Sequence, residues 1–178
     1  MNPWKTLSSK IIIKNEWFRV HKDKVITPTG KTGEYTYLEN RPFSIVAGVH
    51  GGKFVLVKQY RYTIQREMLE FSCGGANEGE DLLKTAKREF QEETGYLAKK
   101  WTDLGVFYSA TSTNKALGRI FLAEELTKTT KNKMAEDGIT DVMLLSPKEL
   151  ERQIADNTIN DSKTITAYFK AKLYLAAR

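Results

Sequence analysis

Between residues 10 and 40 the apolar positions come in short runs with polar residues between them. Ile11-Ile12-Ile13, Trp17-Phe18 with Val20, Val25-Ile26, and Tyr35 with Leu38 mark the runs, and Pro28, Gly30 and Gly33 punctuate them. Short runs broken by turn residues predict a small antiparallel sheet. From Arg41 the apolar runs lengthen, and residues 43–49 and 54–59 flank Gly51-Gly52 as the two arms of a hairpin. Residues 85–94 hold neither Pro nor Gly and are rich in helix formers, so they predict a helix that Gly95 ends as a left-handed cap. Further strands are expected at 102–108, 119–123 and 139–145. Ser146-Pro147-Lys148-Glu149 has the form of a capping box with Pro at the first helical position. Asp161 or Ser162 can cap a last helix running to about Leu175. The pattern therefore divides into residues 1–40, a small antiparallel sheet, and 41–178, an α/β portion, with no internal repeat or long linker.

Composition narrows the class. A chain of 178 residues, 40% apolar and 28% charged, suits one compact domain with a small appendage. No apolar run approaches the roughly 20 residues that span a bilayer, and MNPWKTLSSK lacks the apolar core of a signal peptide. Cys73 is the only cysteine, so no internal disulfide can form and a reducing, cytoplasmic setting is expected. The net charge of +6 is spread along the chain. Its one local concentration, Lys128, Lys131 and Lys133, reads as a solvated loop, so neither a membrane nor a nucleic acid is expected as partner. Surplus positive charge also suits phosphorylated substrates.

The chemistry concentrates in residues 74–96, which carry five Glu and one Arg between bracketing glycines. On a helix, Glu89, Glu92 and Glu93 project from one side, with Glu89 and Glu93 one turn apart. Clustered carboxylates repel one another and are costly to bury unpaired. A hard cation, Mg2+ or Mn2+, resolves the conflict, because such ions prefer oxygen ligands. The helix face alone would equally suit a solvated acidic surface.

Gly74, Glu80, Arg88, Glu89, Phe90, Glu92, Glu93, Gly95 and Tyr96 fill every fixed position of G-x5-E-x7-R-E-U-x-E-E-x-G-U, the signature of the Nudix hydrolase superfamily, which this segment resembles. Lys58 to Tyr62 with its Q-Y-R, Glu70-Phe71-Ser72-Cys73-Gly74, the Thr29 to Tyr35 turn and the helix start at Ile159 to Thr164 resemble the ADP-ribose and nucleoside diphosphate sugar pyrophosphatase branch. The resemblance implies an α/β/α sandwich with a mixed sheet, and a homodimer whose N-terminal sheets reach across to the partner. It implies metal-dependent hydrolysis of the pyrophosphate bond of nucleotide sugars such as ADP-ribose or GDP-mannose, giving a nucleoside monophosphate and a sugar phosphate. By the same resemblance Glu89 and Glu93 are the main metal ligands, Glu92 binds directly or through water, and the Cys73 carbonyl adds an oxygen. Glu80 would pair with Arg88, tying loop to helix.

Other expectations are looser. Arg61 suits a phosphate or ribose contact, or is an exposed strand-end residue. Glu70 matches a substrate-side carboxylate of the branch. The branch takes its general base from a late loop, where Glu136 fits first and Asp137 second. Trp17, Phe18, Tyr60 and Tyr62 could stack on a nucleobase or pack in the core, and Trp4 could serve either base or dimer. The chain departs from the branch at Ser72-Cys73, where Pro-Ala is usual, and at Ala110, where proline is usual. Strict ADP-ribose specificity is therefore not expected. Competing functions are an RNA 5′-pyrophosphohydrolase, a cleanser of triphosphate pools, and a sensor that binds nucleotide sugar without hydrolysis.

Overall fold

The computed structural model describes residues 3–178, in two compact units. The first comprises residues up to Pro42 together with Tyr108–Leu117. Its strands β1 (Lys5–Lys14), β2 (Phe18–Ile26) and β3 (Thr32–Asn40) form an antiparallel sheet in the order β1-β2-β3. The strands are longer than the apolar runs suggest, because polar residues on the open face continue the ladder. The 108–117 segment is tied to β3 by Leu38 N–H donating to Thr113 O and Lys115 N–H donating to Leu38 O, each at 2.8 Å. The other edge is different: every residue of β1 is exposed, including Leu7 and the Ile11-Ile12-Ile13 run.

The second unit, Phe43–Phe107 with Gly118–Arg178, is built on a seven-stranded sheet. The strands are β4 (Phe43–His50), β5 (Lys53–Arg61), β6 (Arg66–Glu70), β7 (Ser72–Gly75), β8 (Tyr96–Phe107), β9 (Gly118–Lys128) and β10 (Ile139–Leu145). The main order is β10-β5-β4-β9-β8, with β6 on β5 and β7 on β4; only β4–β9 is parallel, so the sheet is mixed. Three helices, α1 (Leu82–Thr94), α2 (Pro147–Ala155) and α3 (Ser162–Ala176), cover it.

The central strands are buried on both faces, which explains their unbroken apolar runs. Alternate residues go to opposite sides. Ile45, Ala47, Leu56, Ile120 and Leu122 pack with Tyr168 of α3 and Leu150 of α2. Val46, Val55, Phe121 and Ala123 pack with Ala86 and Phe90 of α1. Two cores on one sheet make the sandwich. Phe90 is fully buried, which contributes about 2–3 kcal/mol. It reaches β4 only because Gly48 lacks a side chain, since a Cβ there would collide with the Phe90 ring.

Strands β6 and β7 did not stand out in the sequence. They are short, and β7 is Ser-Cys-Gly-Gly, a run that lacks strand formers but pairs with β4. Strand β8 begins at Tyr96, six residues before the expected start, because Gly95 turns the chain directly from helix to sheet. The α2 capping box is present, and Asp161 rather than Ser162 caps α3.

Candidate active site

Helix α1 starts three residues earlier than its helix-forming core. Asp81 accepts from Leu83 N–H and Lys84 N–H, and Ser44 Oγ donates to Leu82 O at 2.6 Å, fixing this end against β4. The other end stops at Gly95, in left-handed conformation with φ of 69°. Between these anchors the buried stripe runs through Ala86, Phe90, Glu93 and Thr94. Glu93 thus falls on the core-facing side, while Glu89 and Glu92 flank it.

Strand β7 meets this helix at the carboxylates. Cys73 N–H donates to Glu93 Oε2 at 3.0 Å. One residue on, Gly74 leaves the space that Glu89 fills: a Cβ at this position would coincide with the Glu89 carboxyl. The first glycine of the motif is therefore a steric requirement of the Glu89 rotamer.

Arg88 gathers the remaining charge. Its Nε and one terminal nitrogen donate to Glu80 at 3.2 and 3.0 Å, and that nitrogen also reaches Gly75 O. The other nitrogen donates to Glu89 Oε1 at 2.7 Å and to Glu92 Oε2 at 3.4 Å. The Arg88 hydrogen bonds and Asn77 N–H hold the Glu80 carboxyl down at about 2. Glu89 moves the other way, raised by burial despite Arg88. Glu93, only 6% exposed, is pushed up to about 8 by burial, with the Glu89 charge adding to the effect. Burial thus outweighs the positive charge that Arg88 brings to Glu89 and Arg61 to Glu93.

Arg61 at the end of β5 is engaged by Glu70, a buried residue of β6, through its Nε at 3.0–3.1 Å and a terminal nitrogen. The Cys73 thiol is pushed up to about 12 by burial, which favours the neutral thiol over a nucleophilic thiolate. The loop before β10 docks on the end of α1. Lys133 pairs with Glu92 at 2.7 Å, and its N–H donates to Glu92 O at 2.8 Å. Glu136 and Asp137 follow in a turn closed on Lys133 O. Asp137 is raised by desolvation and then by the Glu92 charge, and its own charge is felt at Glu89. Trp17, 67% exposed, and the part-buried Phe18 belong to the other unit.

The donor set fits a hard cation. Glu89, Glu92, Glu93 and the Cys73 carbonyl offer oxygen only, burial favours the neutral form of Glu89 and Glu93 as the chain stands, and the missing side chain of Gly74 leaves room for the Glu89 carboxyl. No three such groups among the described residues form a ready-made cage. Arg88 and Lys133 occupy oxygens that a cation would take.

Comparison with known proteins gives this geometry its family. Residues 40–168 match the NUDIX domain, and residues 4–38 match the nucleoside diphosphate sugar hydrolase N-terminal domain. The chain belongs to the Nudix hydrolase family. Its resemblance to ADP-ribose pyrophosphatase of Bacillus subtilis (strain 168) is 30% identity over 98% of this chain and 96% of that one. Methanol dehydrogenase activator of Bacillus methanolicus is 29% identical over 92% of this chain and 89% of its own. A crystal structure of an ADP compounds hydrolase superposes with a TM-score of 0.85 at 19% identity, covering 98% and 95% of the two chains, and so shares the fold. This Nudix chain is a pyrophosphohydrolase of nucleoside diphosphate sugars. Nudix hydrolases generally use divalent metal ions.

Not every residue of interest stands out in the sequence. Lys133 reads there as part of a solvated loop, and Lys163 is not singled out. In the N-terminal unit, Trp4, Asp23, Tyr35 and Tyr37 line a cavity of about 390 Å³ against residues 111–115. Asp23 is nine-tenths buried there, and its Oδ1 has no hydrogen-bond partner among the described residues. The signal was present in the alternation, which puts odd-numbered residues of β2 and β3 on one face.

Proposed function

We propose that this enzyme hydrolyses ADP-ribose and at least one hexose nucleotide such as GDP-mannose, with Mg2+ or Mn2+, as a homodimer. The observation that carries the reading is the pairing of β7 with α1, where Cys73 N–H holds the buried Glu93 and Gly74 makes room for Glu89. Glu89, Glu93, Glu92 and the Cys73 carbonyl would hold the cation, which when bound would supply charge neutralisation at the diphosphate and a more acidic water.

The chain's own residues do the rest. Arg88 fixes the carboxylates from the exposed side through Glu80, a contact that needs no metal. Arg61, aligned by Glu70, points its planar donors at phosphate or ribose oxygen. A carboxylate of the loop before β10 removes the proton from the attacking water. Glu136 and Asp137 are the candidates, in that order by position in the loop, and both lie in the turn closed on Lys133, which pairs with Glu92. Trp17 and Phe18 are assigned to the base. The exposed β1 edge supports a homodimer, since three strands without a covered apolar face have little core of their own.

The test is a substrate panel of ADP-ribose, GDP-mannose, UDP-glucose, NADH, diadenosine polyphosphates, nucleoside triphosphates and 5′-triphosphate RNA, with product analysis. Turnover of ADP-ribose and GDP-mannose to two monophosphates supports the reading. Activity confined to triphosphates or RNA overturns it, and binding without turnover favours a sensor.

A further inference from the structure

Lys163 stands out when the cations of the second unit are compared by their partners. Lys58, Lys100, Lys133 and Lys172 each lie within 3.1 Å of a carboxylate, and Lys53, Lys84, Lys87, Lys99 and Lys148 are exposed, where water solvates the charge. Lys163 is more deeply set, part-buried in the first turn of α3, yet its hydrogen bonding among the described residues amounts to one contact with Cys73 Sγ at 4.0 Å. The thiol is neutral and a weak acceptor. Its location is unfavourable for a cation in a second respect, because helix N-termini carry positive partial charge.

The nearby carboxylates are committed elsewhere. Asp161 caps α3, its Oδ2 accepting from both Thr164 N–H and Thr164 Oγ1 at 2.9 Å. Glu70 is taken by Arg61. Both charges reach Lys163 from a distance, as does that of Arg61, a like charge in the same cluster. The backbone that carries Lys163 is firmly placed. Thr164 Oγ1 accepts from Phe71 N–H at 3.0 Å, so the start of α3 is fastened to the chain just before β7. Arg61 shares its charge with Glu70, while Lys163 beside it has no carboxylate in contact among the described residues, so the pair carries one positive charge more than its carboxylate offsets and makes a place for an anion.

Cys73 says which anion. Its Sγ meets Lys163 while its N–H meets Glu93, so one residue separates the ammonium from the carboxylate assigned to the cation. We propose that Lys163 binds a non-bridging oxygen of the substrate diphosphate, acting with Arg61 as a second cationic arm opposite the metal-holding carboxylates. The proposal rests on the reading of the site as a nucleotide-sugar hydrolase. It makes Lys163 a substrate-contacting residue rather than a support for the fold.

Three variants and two binding probes test it. Lys163→Met keeps the length of the side chain and removes the charge. Its KM for ADP-ribose should rise about tenfold or more while kcat changes less than about threefold, as for loss of a contact made equally in ground and transition states. Lys163→Arg should recover most of the KM, and Lys163→Gln should behave as Met does. Mn2+ affinity without nucleotide, read by electron paramagnetic resonance, should stay within about twofold, because the lysine is not a cation ligand. Calorimetry with inorganic pyrophosphate and with α,β-methylene ADP-ribose separates the proposal from the activity it rests on. If the wild type hydrolyses no nucleotide sugar but binds pyrophosphate through Lys163, the functional reading fails and the proposal stands. Equal binding of both probes by wild type and Lys163→Met, or an unchanged KM, overturns the proposal. So does a parallel loss of Mn2+ affinity and thermal stability in all three variants, which marks a structural lysine.

Discussion

Replacing Glu93 by Gln separates the electrostatics of the fold from the chemistry of the site. The folded chain holds this carboxyl at about 8, against 4.5 for the free group. The folded state therefore binds the proton more tightly than the unfolded one. Below the unfolded value both states are protonated and stability is complete. As pH rises from about 4.5 to about 8, the unfolded chain ionises first, so the metal-free protein loses stability across that window. At pH 7 the loss is up to about 3 kcal/mol, at 1.36 kcal/mol for each pH unit above 4.5. Gln at this position is uncharged and keeps an acceptor for Cys73 N–H. In the presence of a chelator, Glu93→Gln should melt higher than wild type at pH 7, by up to roughly 6–12 °C for a chain of this size. The difference should vanish near pH 4.5. With Mg2+ the order should reverse, because only the wild type gains from binding, and turnover of the variant should fall by orders of magnitude. Calorimetric scans at pH 4.5, 6, 7 and 8, with and without Mg2+, measure all of this. Parallel melting curves for the two proteins across that range, or near-wild-type hydrolysis by the variant, would refute the reasoning.

Gly74→Ala should displace the Glu89 carboxyl, weakening Mn2+ binding by about tenfold or more while costing little stability, since the flexible end of Glu89 moves and not the backbone. A Mn2+ titration with a melting curve checks both. Glu80, held at about 2, stabilises the fold above about pH 4.5 and loses that contribution as pH falls toward 2, so Glu80→Gln should flatten acid unfolding there. Light scattering at micromolar concentration should give about twice the 20.3 kDa chain mass. A monomer would remove the dimer but leave the chemistry.

What the sequence showed and what it hid follow from how local each feature is. The motif helix, its Gly95 stop and the α2 capping box are set by residues within a turn of one another, so spacing reveals them. The strands β4, β5 and β9 were readable because they are buried on both faces and carry uninterrupted apolar runs, whereas the sandwich they form was implied by the family resemblance. Strand β7 was invisible for the opposite reason. Its Ser-Cys-Gly-Gly is chosen for the space that Glu89 needs and for what its backbone offers Glu93, and neither leaves a periodic mark. Lys163 could not be told from other lysines, because what sets it apart is its part-buried place beside Cys73, a property of tertiary placement. The same holds for Asp137 against Glu136: their order along the loop is plain, but which one senses Glu92 depends on how the turn closes on Lys133.

The central claim is that the carboxylates of α1, gathered against β7, serve cation-dependent cleavage of a nucleotide-sugar diphosphate. Product analysis of ADP-ribose incubated with wild-type enzyme, before and after chelation and then with Mg2+ restored, tests it most directly. The account predicts AMP and ribose 5-phosphate in equal amounts, loss of both products on chelation, and their return with the cation. Undiminished hydrolysis in chelator, or release of inorganic phosphate in place of the two monophosphates, would contradict it.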